Sequence, residues 1–183
     1  MTGSVIQLVM NFGYPGSYSR MPDDVVMNKP VNSGSANIVF GTAVKLNADN
    51  TFAAGDATLT AANFAGIAVR EVKQGLAYST LGVVDNAQGS YQPLDPCDVL
   101  LRGCTVVKLG AGKTEGKTPA AGASVLYRIA LDAENAPNAH IGDFEAGEPE
   151  AGKTIALPGV VFTTGEVDAN GVVEVSITKR NNN

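Results

Sequence analysis

The chain has 183 residues, enough for one sizeable core and too few for two ordinary domains. Hydrophobic residues make up 44% and charged residues 17%, so the chain can fold rather than stay disordered. The net charge of −5 argues against a basic nucleic-acid footprint, and a single His with no Trp leaves few groups suited to catalysis near neutral pH.

The opening stretch, Met1 to Met10, has neither a basic n-region nor a long apolar core before a cleavage site. No apolar run is long enough to span a bilayer. The expectation is a soluble protein made in the cytosol. Residues 1–36 show no sustained periodicity and carry Gly13, Pro15, Gly16, Pro22, Pro30 and the polar run Asn32 to Ser35. They read as an extended N-terminal arm ahead of a domain at 37–183. Phe12, Tyr14, Tyr18, Met21, Val25, Val26 and Met27 stud that arm with apolar groups that have no periodic core of their own, so a partner surface is expected to cover them.

Strand patterns begin at Ile38. Ile38, Phe40, Thr42, Val44 and Leu46 share one face of a single expected strand, which Asn47 to Asn50 then turns. Phe64 to Val72 predicts a second strand, Asp98 to Leu109 a long one interrupted at Gly103, and Ser124 to Leu131 another. Asp56 to Phe64 is at most a short helix. Val173, Val175 and Ile177 alternate with Glu174, Ser176 and Thr178, which predicts one buried and one wet face. Asn170-Gly171 suits the tip of a hairpin joining that strand to Val160–Val167. The fold class is all-β, a β-sandwich or barrel with an extended N-terminal arm and long surface loops. A faint echo links Gly41-Thr-Ala-Val44 and Phe64-Ala-Gly-Ile-Ala-Val69 to Gly122-Ala-Ser-Val125 and Leu157-Pro-Gly-Val-Val-Phe162. Duplication and chance similarity explain that echo equally well.

Several motifs resemble chemistry and are better read otherwise. Gly147-Glu-Pro-Glu-Ala-Gly-Lys-Thr154 fits a phosphate loop letter for letter. A phosphate cradle needs a strand before it and a helix after it, whereas Pro158 and Gly159 stop any helix and Glu148 and Glu150 repel phosphate. Gly110 to Thr118 lacks the required glycine and reads as a basic loop. Six carboxylates between Asp132 and Glu150, with no Lys or Arg, lack calcium-loop spacing and read as a solvated acidic loop. His140 stands without a poised nucleophile, and Asp95 and Asp98 suit a strand entry. Cys97 and Cys104 are expected as reduced thiols, since one distant His cannot complete a zinc site. No catalytic, cofactor or metal residues are assigned.

Met10-Asn-Phe-Gly-Tyr-Pro-Gly-Ser-Tyr-Ser-Arg-Met-Pro-Asp-Asp-Val-Val-Met27, followed by Ile38-Val-Phe-Gly-Thr-Ala-Val44, resembles the opening of tailed-bacteriophage capsid cement (decoration) proteins. Phe64 to Arg70 and Tyr91 to Gly103 resemble that family's strands. The resemblance covers roughly the first 110 residues. It implies a structural, non-enzymatic protein on the outer surface of the virion capsid. Such proteins sit as homotrimers at three-fold positions and clamp neighbouring major capsid protein subunits. In that reading Phe12, Tyr14, Pro15, Tyr18, Arg20, Met21 and Met27 of the arm bind the partner, which is the major capsid protein or another copy of the chain. The competing classes are a tail or baseplate β-module and a carbohydrate-binding or hydrolase sandwich. The latter lacks an aromatic platform, with no Trp and five Tyr. Neither nucleic acid nor a membrane is an expected partner, and no cofactor is expected.

Overall fold

The computed structural model describes residues 12–70, 89–110, 119–134 and 136–179. Eleven strands and no helix occur among them. The first half of the chain contributes β1 (Tyr18–Pro30), β2 (Ile38–Val39), β3 (Ala43–Leu46), β4 (Phe52–Ala54), β5 (Phe64–Ala68) and β6 (Ser90–Tyr91). The second half contributes β7 (Pro96–Lys108), β8 (Ser124–Arg128), β9 (Phe144–Glu145), β10 (Thr154–Phe162) and β11 (Val172–Ile177). One curled antiparallel sheet runs β4-β3-β5-β7-β11-β10-β8-β9, with β1 on the other edge of β7; β2 and β6 form a small second sheet. Val, Ile and Phe dominate these strands because branched and aromatic side chains pack well on a pleated surface.

The pairings repeat. In the first half β1 pairs β7, β7 pairs β5, β5 pairs β3 and β3 pairs β4. A parallel bridge from Val31, just past β1, to Phe52 of β4 closes that path into a ring. In the second half β7 pairs β11, β11 pairs β10, β10 pairs β8 and β8 pairs β9. A parallel bridge from Leu109, just past β7, to Phe144 of β9 closes it in the same way. The echo in the sequence therefore falls on equivalent strands, β3 with β8 and β5 with β10. Strand β7 serves both rings, as the last strand of one and the first of the other.

Side-chain packing follows this sharing. Cys97, Val99 and Leu101 of β7 line a smaller cluster with Val31, Ile38, Phe40, Val44, Phe52 and Tyr91. Further along β7, Val107 and Leu109 line a larger cluster with Val125, Tyr127, Phe144, Phe162, Val173 and Val175. Each fully buried side chain of this size contributes roughly 1.5–3 kcal/mol, so both clusters are substantial. Phe40 meets Tyr91 edge-on at 5.1 Å, and the Tyr91 hydroxyl donates to Val69 O at 2.8 Å. Gly66 lets β5 approach β7: a Cβ there would lie 2.0 Å from Leu100 O.

Four expectations change. The arm is extended, but its described part is not a separate unit, because β1 is bonded to β7 from Tyr18 to Pro30. The single strand from Ile38 to Leu46 is two, since Gly41 adopts φ +76° and turns the chain between β2 and β3. Strand β7 runs unbroken through Gly103, whose φ of +130° accommodates a bulge in β1 rather than a gap. The wet face of β11 is not wet at Glu174, which is 4% exposed because Arg20 covers it. The C-terminal hairpin forms as expected, with Val160, Val161 and Phe162 opposite Ile177, Ser176 and Val175. Asp168 holds its turn, accepting the N–H groups of Asn170 and Val172 at 2.8 and 2.9 Å.

Candidate functional site

The segment leading into β1 is fastened by its backbone. Phe12 N donates to Asp168 Oδ2 at 3.2 Å, and a turn closes where Ser17 N donates to Tyr14 O at 3.0 Å. Gly16 N donates to Val106 O at 2.8 Å and Gly16 O accepts Arg70 N at 2.9 Å. Gly16 also lies directly on Gly41. A Cβ on Gly41 would come within 2.6 Å of Gly16 N and of the Pro15 ring, so side chains at this crossing are excluded. Pro15 is consequently buried.

What the strap presents outward is aromatic. Tyr14 is 63% exposed, with the Arg70 guanidinium 5.2 Å from its ring centroid, a cation–π distance. Tyr18 is 38% exposed and Val26 40%. Burial raises the Tyr18 hydroxyl pKa above 10.0, with Asp98 and Asp24 adding to the shift, so it stays a neutral donor. Phe12 and Met27 are half-buried, and Met27 packs with Val25 against the smaller cluster. Arg20, expected to reach a partner, is bound at home: Nε and Nη2 donate to Glu174 Oε1 and Oε2. The Met21 side chain lies outside what is described.

Polar contacts hold the rest of β1 in register. Arg102 pairs with Asp23, Lys29 with Asn50, and Asn28 Nδ2 donates to Asp98 Oδ1 at 2.7 Å. Between Arg20 and Val25 the strand bulges, because those residues face Cys104 and Arg102, two apart on β7. Asp24 fills the bulge over Gly103. Its Oδ1 lies where a Gly103 Cβ would stand, at 1.9 Å, and its burial raises the carboxyl pKa above 3.8.

Two residues not among the expected contact residues join this surface. Arg70 follows the β5 segment, and only the fold brings it over Tyr14. Leu94 is 72% exposed and takes φ +74°, a costly conformation for a residue with a branched side chain, held by its N–H bond to Val31 O at 3.0 Å. The Gln92-Pro93-Leu94-Asp95 turn was the legible signal. Leu94 precedes β7 as Tyr14 precedes β1, so each ring offers an exposed large side chain at the entry to its first strand.

The acidic stretch is solvated only in part: Glu134 and Glu148 are exposed, whereas Glu145 is buried. Arg128, fully buried, is clasped by Glu145, and its Nη2 also approaches Glu150 Oε2 at 3.4 Å. The charge of the loop thus answers a cation that lies outside it in sequence. In the phosphate-loop look-alike, Thr154 starts strand β10, not a helix. Thr154 Oγ1 accepts Glu150 N at 2.8 Å and Lys153 Nζ donates to Leu131 O at 2.7 Å, which occupies the groups that would contact a phosphate. Cys97 and Cys104 are free thiols, and burial pushes the Cys97 thiol far up. Among the described residues, no group of three or more His, Cys, Asp and Glu is placed to hold a metal ion.

A family described as "structural cement protein (E217 gp24/Pam3 gp6)" matches residues 2–178. Among solved structures, a chain of "The capsid of Myoviridae Phage XM1" is similar at 20% identity with a TM-score of 0.62, covering 98% of this chain and 99% of that one. At that identity the likeness concerns the fold. No curated protein matches.

Proposed function

Because this chain belongs to the structural cement protein family of phages, we propose that it binds the outer surface of a phage head and clamps neighbouring major capsid protein subunits. In this reading it acts in the virion without catalysis, as homotrimers at three-fold positions. The observation that carries the reading is the strap before β1. Its backbone is bonded to Val106, Arg70 and Asp168, so its exposed Tyr14, and Tyr18 at the start of β1, are held in place before any partner arrives. Ordered aromatic groups bind with little further loss of entropy, and Tyr and Arg are the types that anchor interfaces.

The contact residues divide by burial. Tyr14, Tyr18, Arg70 and Leu94 face outward and Pro15 and Met27 position them from within, while Arg20, itself exposed, is held by Glu174. Phe12, half-buried beside Asp168, supports the strap's start. Adding purified protein to undecorated shells tests the reading. Tyr14→Ala with Tyr18→Ala is expected to keep the fold, as monitored by circular dichroism, and to lose most retention on the shell. Retention equal to that of the parent chain would remove the strap as the binding element. Density for the chain on the inner face of the shell, or on the tail, would remove the location.

A further inference from the structure

We propose that the outer edge of β1 is a strand-addition site for β1 of a second copy of this chain, the two strands running antiparallel about a two-fold axis at Met27. Strand β7 engages only every second residue of β1. Val31 N donates to Asp95 O at 2.9 Å and Val31 O accepts Leu94 N at 3.0 Å. The β1–β7 register continues without a shift from Pro30↔Pro96 through Lys29↔Cys97 and Met27↔Val99 to Val26↔Leu100. In an antiparallel pair, bonding alternates along the strand. Val31, Lys29 and Met27 therefore direct their backbone groups to β7. Val26 and Asn28 direct theirs away from it, and so does the carbonyl of Pro30. The other side of β7 agrees: Val69 N donates to Asp98 O at 3.0 Å, so Asp98 and Leu100 face β5 and leave Cys97 and Val99 for β1.

Among the described residues no strand pairs with that outer edge between Val26 and Pro30; β4 meets it only past the strand, where Asn32 N donates to Phe52 O at 2.7 Å. The repeat indicates what belongs there. Strand β7, as first strand of the second ring, bonds β11 on one side, and on its far side it is covered by Tyr18 and Arg20 of β1 opposite Thr105 and Cys104. Strand β1 is the first strand of the first ring, and among the described residues no strand covers it in that way between Val26 and Pro30. Within this one fold, the equivalent edge is met by an antiparallel strand of the same chain.

The free edge is also complementary to itself. Centred on Met27, Val26 stands opposite Asn28 of the second copy and Asn28 opposite Val26 of the second copy. Each of these pairs exchanges two N–H···O bonds. Val25 then stands opposite Lys29 of the second copy, so no like charges meet. Pro30, which lacks an N–H, and the bulge before Val25 end the run on both sides, leaving a short strand that adds once instead of templating a fibre. Val26, 40% exposed in the single chain, is covered by the addition. A two-fold contact is isologous. On a shell decorated by three-fold clusters it would join one cluster to the next, so the cement layer would be laced to itself as well as to the capsid.

Cysteine cross-linking of the full chain in a Cys104→Ser background tests this. Opposed bonded residues lie about 5.5 Å apart at Cα, within reach of a disulfide, whereas diagonal ones are about 7–8 Å apart. Val26→Cys mixed with Asn28→Cys is expected to give an oxidised dimer, in concentrated solution and on decorated shells, while either variant alone stays uncross-linked. Asn28→Pro removes an outward N–H and the side-chain bond to Asp98 but leaves the β1–β7 backbone bonds, and is expected to abolish this two-fold association in sedimentation while the circular dichroism is unchanged. Absence of the mixed dimer on decorated shells, efficient cross-linking of Val26→Cys to itself, or capture of a capsid segment in place of a second copy would each overturn the proposal. Shell retention is a separate readout, so failure here leaves the clamping function standing and failure there leaves this contact standing.

Discussion

Arg20 and Glu174 bind each other through two hydrogen bonds of 2.9 Å each, tying β1 to β11 across the strand that lies between them. The two ends of the pair differ. The Arg20 side chain is 61% exposed and the Glu174 side chain 4%, so Arg20 covers a carboxylate that water does not reach. The pairing raises the pKa of Arg20 further, chiefly through the hydrogen bonds to Glu174.

Arg20→Ala should therefore lower the melting temperature more than removal of an exposed arginine ordinarily does, because Glu174 is left buried and unpaired. Arg20→Ala combined with Glu174→Gln should recover part of the loss. A double-mutant cycle by thermal unfolding measures the coupling. Equal and additive losses would show that the pair is not coupled.

Arg128 is the reverse case, a buried cation held by carboxylates from the acidic stretch. Its Nη2 bonds Glu145 Oε2 at 2.8 Å, and both side chains are almost wholly buried. Arg128→Met should destabilise the chain by roughly 3–5 kcal/mol in urea unfolding, since Glu145 loses its counter-charge inside the sheet. Adding Glu145→Gln should restore part of it. A loss within the ±0.5 kcal/mol or so of an ordinary surface change would contradict the burial.

Removing residues 1–31 should unfold the protein, not release a soluble β-domain. The deletion takes away β1, the Val31 bridge to Phe52 and one wall of the smaller cluster. Soluble, folded product by circular dichroism would mean that the first ring closes without its first strand.

Asp24 carries a pH signature. Its carboxyl pKa is raised above 3.8 mainly by burial, partly offset by the bond from Cys104 N, with Asp23 adding to the rise. A carboxyl raised in the folded state costs stability above its folded pKa, and the cost fades as the pH falls through that value and vanishes below the unfolded one. Asp24→Asn keeps the acceptor toward Cys104 N and removes the charge. It should raise the melting temperature at neutral pH, with the gain shrinking to nothing at about pH 3 and below. A gain that is the same at both pH values would place its origin elsewhere.

Local chemistry determined much of this protein. Val, Ile and Phe in short alternating runs select strands, and Asn170-Gly171 after Asp168 selects the last turn. Pro158 and Gly159 after Lys153 forbid the helix that a phosphate loop requires. These are decisions among neighbours in sequence, so the residues themselves carry them. The arm motif carried the family resemblance in the same way.

Partners distant in sequence were decided only by the tertiary structure. Whether Tyr18 to Pro30 packs on its own chain depends on an edge of β7 some 70 residues away, and no periodicity in the arm encodes that edge. The same holds for Glu174 and Glu145, which read as solvated carboxylates until Arg20 and Arg128 are brought over them. The Gly41 turn that splits one expected strand into two is set by contact with Gly16, and Arg70 meets Tyr14 only once Gly16 has docked. A strand's alternation states which side chains share a face, but not which strand lies beside it. For that reason the shared role of β7, and the edge of β1 that it leaves open, became legible only from the paired register.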